Sequence, residues 1–370
     1  MQVTEKTINT VVKNRNSSIE MLRIISMWMI VFYHFHTHVL QYGSDDVFFR
    51  VVQIPIHIAV ICFILISGYF GINASIKGFS KLVAKIMFYA LSITALVLLY
   101  GKISGNQVYY STDYIHQFPY DKGFAINDLL FVSRSPLWFI RSYLLLYMVS
   151  PFFNKVLKDQ SKQERLFLLI VLGFITLWVD LLRVDGMGGG KSILNFCFIY
   201  SIGRTIKDYN ILKLVSRKQN LLMYIALTLS VIVIYVLFDG SSLGSMIGAL
   251  SFRYNGVICI ISAILFFMLF ARTYFSSNII NTVSSSVFAI YLIHEHPIIN
   301  NYIYTTVDLL QQDNGLALLY VYLFLYSMAI MIAAVIIDKL TMPSQNSIAK
   351  MISCALTLVG RKLGIIENER

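Results

Sequence analysis

Residues 19–40 read Ile-Glu-Met-Leu-Arg-Ile-Ile-Ser-Met-Trp-Met-Ile-Val-Phe-Tyr-His-Phe-His-Thr-His-Val-Leu. The run is apolar over about the 20 residues needed to cross a bilayer, yet Arg23 and His34 lie inside it. Hydrocarbon tolerates such groups so poorly that they usually mark a working site. A spacing of eleven is close to three whole helical turns, so both side chains leave the helix on nearly one face, about 16 Å apart along the axis. One ligand could span both. The bland reading of Arg23 is snorkelling to the headgroups, since it lies about one turn from the helix start. His34 lies deeper, where even a structural, neutral imidazole needs a donor and an acceptor partner.

The same apolar texture fills the chain. Of its 370 residues 57% are hydrophobic and 13% charged, which describes an all-α, polytopic integral membrane protein. Hydropathy predicts about ten transmembrane helices, at 19–40, 52–71, 83–101, 136–153, 166–184, 192–208, 220–238, 254–271, 284–300 and 316–338. An even number places both termini on one side, and Lys and Arg should crowd the cytoplasmic segments. With the N-terminus inside, the outer segments hold only Arg50, Lys102, Lys122, Arg134, Arg183, Lys191 and Arg253, while the inner ones hold three times as many cations. Topology and anionic lipid thus explain the net charge of +11 without nucleic acid. The expected layout is a cytoplasmic N-terminal tail (1–18), a transmembrane domain (19–340) and a basic cytoplasmic C-terminal tail (341–370), in a cell (plasma) membrane. No small-residue cleavage site follows the first span, so it should stay as an anchor. Cys62, Cys197, Cys259 and Cys354 are scattered and suggest neither a disulfide framework nor a metal cluster.

Ser17 is placed to cap the first helix, with Glu20 three residues on as a capping-box partner. The outer connection 102–135 is long and rich in Tyr, Asp, Ser and Asn, and loops of this length tend to be functional. Gly186-Met-Gly-Gly-Gly190 before Lys191 lacks the spacing of a phosphate loop and reads as a flexible outer turn.

Further groups could carry chemistry. Lys81 and Lys85, four apart at the inner start of the third span, could join Arg23 on one phosphate-bearing anion, or serve only as positive-inside anchors. Ser67-Gly68 sits at the inner end of the second span; small residues there suit either helix packing or a slot for a thin chain such as pantetheine. Trp138 and Arg141 enter the fourth span from outside, and a buried Arg141 would need an acceptor such as Glu295. Tyr291, His294, Glu295 and His296 gather before Pro297 as acid–base candidates near the outer face. Histidines 34, 36 and 38 invite a metal reading, but no carboxylate or thiolate completes a set within the span, so no metal is expected.

Glu20-Met-Leu-Arg23-Ile-Ile-Ser-Met with His34, then Ser67-Gly68-Tyr69, Leu137-Trp138-Phe139 and Phe288-Ala-Ile-Tyr291-Leu-Ile-His294 resemble the family 3 membrane acyltransferases. The resemblance covers roughly residues 19–338, and its most specific element is the spacing of Arg23 and His34. It implies an acyl-CoA donor on the cytosolic side, an acceptor hydroxyl on the outer side, His34 as the essential catalytic residue and Arg23 as its partner in donor binding. Where such proteins tend to carry arginines before the third span, this chain has Lys81 and Lys85, which forgo bidentate phosphate recognition. With Arg141-Ser-Tyr143 where many relatives carry an acidic residue, the chain looks closer to the branch that modifies exopolysaccharide, capsule or enterobacterial-type antigens, and no appended extracellular hydrolase-like domain is expected.

The expected activity is transfer of an acetyl group from cytosolic acetyl-CoA, a co-substrate with no permanently bound cofactor beside it, to a hydroxyl of a surface polysaccharide or lipid-linked glycan. Arg23, Ser67, Gly68, Lys81 and Lys85 would bind the donor, and Trp138, Arg141, Tyr291 and His294 the acceptor. Two alternatives stay open: succinyl transfer, and a transporter or flippase of lipid-linked glycan whose intramembrane Arg and His line a path without chemistry.

Overall fold

The computed structural model describes residues 15–41, 47–105, 107, 109–111, 117–119, 137–181, 188–313 and 315–363. In chain order the helices are α1 (Ser17–Gln41), α2 (Val47–Ile56), α3 (Ala59–Phe70), α4 (Ile76–Ser104), α5 (Trp138–Lys158), α6 (Lys162–Leu181), α7 (Ile193–Asp208), α8 (Arg217–Leu237), α9 (Ser242–Phe252), α10 (Val257–Ala271), α11 (Asn278–Ser284), α12 (Val287–His294), α13 (Pro297–Asp313) and α14 (Leu316–Lys362). Between α4 and α5 a small antiparallel ribbon, β1 (Tyr109–Ser111) and β2 (Gln117–Pro119), pairs Tyr110 with Phe118 and lies on α13. Positions 106, 108, 112–116 and 120–135 of that connection, and 186–187 of the glycine turn, lie outside the described residues.

Among the described residues five helical stretches are long and apolar enough to cross a bilayer: Ser17–Val39, Val47–Phe70, Ile76–Ser104, Arg217–Leu237 and Leu316–Lys362. A sixth is reached if α9 and α10, bent by 44°, count as one. This falls short of the ten expected from hydropathy. The shortfall has physical causes. Arg141, Lys155 and Lys158 charge α5, and Lys162, Glu164, Arg165 and Asp180 charge α6; α7 has only 16 residues, and the ninth stretch breaks at Glu295-His296 into helices of 8 and 17.

The start of α1 is decided by tertiary partners. Asn16 is the cap: its Oδ1 accepts the Ser18 N–H at 3.1 Å and its carbonyl accepts those of Ile19 and Glu20. Ser17, expected there, is buried, donating its hydroxyl to Asn281 Oδ1 at 2.9 Å and accepting the Ser277 N–H at 2.7 Å. Glu20, expected as its capping-box partner, accepts the Ser284 hydroxyl and pairs with Arg23 at 3.7 Å. Burial decides this, because a carboxylate taken from water must find charged or hydrogen-bonding partners.

At the centre, α3 is apolar on every side and is enclosed by α1, α7 and α10. It crosses α7 glycine on glycine: a Cβ on Gly68 would strike the Tyr200 carbonyl, and one on Gly203 would strike that of Leu65. Gly68→Ala is therefore expected to destabilise by about 1–3 kcal/mol through overpacking, read as a lower melting temperature in detergent. An unchanged melting temperature would contradict the crossing.

The longest helix, α14, has 47 residues, or about 70 Å at 1.5 Å per residue. It runs unbroken through position 340, where the sequence suggests the basic tail begins. Along it packs α4, and Trp28 Nε1 of α1 donates to Ser327 Oγ at 2.9 Å.

Candidate active site

One face of α1 (Arg23, Met27, Ile30, Tyr33 and His34) lines a cavity of about 630 Å³, extended by Arg15 and Glu20. This is the face that helical periodicity predicts, and the hollow continues from the guanidinium to the imidazole along three turns. Its other walls are Gly78, Lys81, Leu82 and Lys85 of α4, Gln345, Asn346 and Ala349 of α14, Ser67 and Phe63 of α3, Trp138, Phe139 and Tyr143 from α5, and Phe288 and Tyr291 of α12. A pocket of this size, mostly apolar with a few convergent polar groups, suits a small-molecule substrate.

The break between α12 and α13 supplies the partners of His34. Pro297 lacks an N–H and can open a helix but not continue one, so the chain turns at Glu295 and His296, both buried. His34 Nδ1 lies 2.6 Å from Glu295 Oε1 and 3.2 Å from His294 Nε2. His294 Nδ1 faces the Ile290 carbonyl at 2.7 Å. A carbonyl can only accept, so His294 carries its proton on Nδ1 and presents a bare Nε2. The proton between His34 and its two acceptors then sits on His34 Nδ1. That tautomer leaves His34 Nε2 as the basic nitrogen, with the Glu295 carboxylate at ion-pair distance behind the ring.

The same three side chains form a group whose ligand atoms all lie within 4.8 Å of one another, close enough to invite a metal. Within that group the hydrogen bond runs between His34 Nδ1 and His294 Nε2, and Glu295 Oε1 stands beside it at ion-pair distance. His36 and His38 turn elsewhere: His36 lies 2.5 Å from the Phe49 carbonyl and 2.9 Å from the Tyr320 hydroxyl, and His38 lies 2.6 Å from Asp308. The histidine run thus does not converge on one point.

Of the residues singled out from sequence, Arg23, His34, Ser67, Lys81, Lys85, Trp138 and Tyr291 share the cavity. Three do not. Gly68 is spent on the crossing with α7. Arg141 is exposed and absent from the wall, and the carboxylate offered to it, Glu295, is taken by His34. His294 stands behind His34 as its hydrogen-bond partner. Lys85 lines the cavity but is 2.9 Å from Asp338, a fully buried carboxylate that also accepts from Tyr89 and Gln345. Its charge is already matched. Lys85→Met should strand that carboxylate and destabilise the protein by about 3 kcal/mol, visible as a lowered melting temperature that Asp338→Asn in the same chain partly restores. Equal stability of Lys85→Met and the parent would show the pair to be ornamental.

Residues that sequence reading passed over complete the wall. His57 stacks on Tyr254 at 4.5 Å, and Tyr254 stacks on Trp138 at 5.1 Å. Lys191 Nζ lies 5.5 Å from the Trp138 ring centre. His57, Tyr254 and Trp138 line the same cavity as His34 as an aromatic shelf. His57 Nε2 is buried with no hydrogen-bond partner among the described residues. A polar residue beside a helix-breaking proline, Gln53-Ile-Pro55-Ile-His57, was the available signal. Glu295, already named from the sequence as an acid–base candidate and as an acceptor for Arg141, faces His34 instead.

Searches of curated proteins and of solved structures find no match to this chain. A scan against protein-family models matches an acyltransferase domain over residues 16–337, from the cap of α1 to the middle of α14. Most of the chain is covered, its apolar helices are those of a membrane protein, and it belongs to the family 3 acyltransferases.

Proposed function

We propose that this acyltransferase is an O-acetyltransferase of the cell membrane, with both termini cytoplasmic, that moves acetyl from cytosolic acetyl-CoA to a hydroxyl of a surface polysaccharide or its lipid-linked precursor. The observation that carries the reading is the continuous hollow along α1, with the Arg23 guanidinium at one level and the Glu295-backed His34 three turns away. Donor phosphates dock beside Arg23 and Lys81, and the pantetheine arm follows the α1 seam past Met27 and Ile30. The acceptor sugar rests on the Trp138 and Tyr254 rings, whose faces suit the apolar side of a pyranose.

His34 Nε2 takes the proton of the acceptor hydroxyl as its oxygen attacks the thioester carbonyl. The tetrahedral intermediate collapses, the C–S bond breaks, and the imidazolium returns the proton to the departing thiolate. Glu295 stabilises the imidazolium while it exists and holds the ring in register. In a relay variant Nε2 itself takes the acetyl group first and passes it on; mass spectrometry of acid-quenched protein separates the routes.

Purified protein in detergent, given radiolabelled acetyl-CoA and glycan, is expected to place label in the glycan and to hydrolyse acetyl-CoA slowly without it. Succinyl-CoA run in parallel should be the poorer donor. If neither transfer nor hydrolysis occurs, the chemistry proposed is wrong, as a flippase would do neither.

A further inference from the structure

A second hollow of about 640 Å³ meets the first at Lys81, Asn346 and Ala349. Four cations line it, Lys77 and Lys81 from α4 and Lys350 and Arg361 from α14, and no carboxylate does among the described residues. The placement follows from helical geometry. Lys77 and Lys81 are one turn apart, and Lys350, Cys354, Thr357 and Arg361 follow one another at i, i+4, i+7 and i+11, a single stripe on α14. At 47 residues α14 is about 70 Å long, more than twice a hydrocarbon core of about 30 Å, so it is longer than one crossing needs, and its later turns line the hollow opposite Lys77 and Lys81 of α4.

Retention of positive loops on the inner side does not ask cations to converge on one concave surface. Here they do, against mutual repulsion that an anion would relieve. The donor assigned above has such an anion: beyond pantetheine, CoA carries a diphosphate and a ribose 3′-phosphate. In the first cavity Lys85 is paired with Asp338 and Arg23 with Glu20, which leaves Arg15 and Lys81 to face that charge, and Lys81 is shared with the second hollow.

We infer that this α4–α14 groove seats the phosphorylated nucleotide end of the acyl donor, with Lys350 and Arg361 contacting its phosphates. The inference rests on the acyl-CoA reading of the main cavity. It makes the later turns of α14 part of the donor site.

The test uses the full-length protein and adenosine 3′,5′-bisphosphate, which has the nucleotide's phosphates but no pantetheine or thioester. Parent protein should bind it more weakly as salt rises, and Lys350→Glu with Arg361→Glu should weaken binding about tenfold or more. The charge-keeping pair Lys350→Arg with Arg361→Lys should stay within about threefold of the parent, which separates lost charge from lost fold. In turnover, the reversal should raise KM for acetyl-CoA about tenfold and leave kcat within about twofold. Acetyl-dephospho-CoA should be a poor donor for the parent and lose little more in the variant. Unchanged bisphosphate affinity and unchanged KM in the reversal would overturn the assignment even if acetyl transfer is normal. A parent that transfers no acetyl group would refute the proposed activity while bisphosphate binding still decides the groove. Nanodiscs with and without phosphatidylglycerol supply the last arm: a groove that answers to the anionic lipid and not to the bisphosphate holds a headgroup, and the inference fails.

Discussion

His34→Asn is expected to fold like the parent and lose acyl transfer by about 10²–10⁴-fold, or more if the imidazole is acylated. Asparagine is the informative replacement because its amide nitrogen overlies Nδ1, the atom 2.6 Å from Glu295. It can still donate to that carboxylate, so the buried charge keeps a partner while the base is gone. His34→Ala removes both, and part of its loss will reflect the buried Glu295 carboxylate losing this contact. Initial rates at equal amounts of folded protein, with melting temperatures measured beside them, check this. Normal acetylation by the asparagine variant would remove His34 from the chemistry.

Glu295→Gln should be nearly as severe, about 10²–10⁴-fold in kcat, with KM for the donor little changed. Glu295 does not line the cavity, so its substitution does not touch substrate. What is lost is the negative charge that stabilises the imidazolium and sets the tautomer. A carboxamide is isosteric, and the variant should stay folded. A fall in donor affinity at constant kcat would be the wrong signature and would move Glu295 from positioning the base to binding.

How much was legible beforehand differs from residue to residue. The shared face of Arg23 and His34 follows from 3.6 residues per turn, and the cavity runs along that face. Lys81, Ser67, Trp138 and Tyr291 were recognisable because polar or aromatic groups beside apolar spans need a reason to be there, and all four reach the hollow. Gly68 was ambiguous: small residues serve packing and ligand access alike, and only the crossing with α7 separates the two. Arg141 lies outside the cavity lining, a placement the sequence does not give because depth along a helix says nothing of the direction in which the helix faces. The expected number of spans is not confirmed among the described residues, and a hydropathy window does not notice a helix that ends early on a buried polar turn, as α12 does at Glu295.

By itself, then, the chain's order of residues determined a membrane protein, the helix that carries its central pair, and their common face, because those depend on transfer free energy and on local periodicity. Tertiary structure alone decided the rest: Glu295 against His34 across 261 positions, Asp338 against Lys85 across 253, and Asn16 rather than Ser17 at the cap. The reason is common to all three. A buried charge or hydroxyl takes the best partner that packing brings within reach, and that partner can be any residue in the chain.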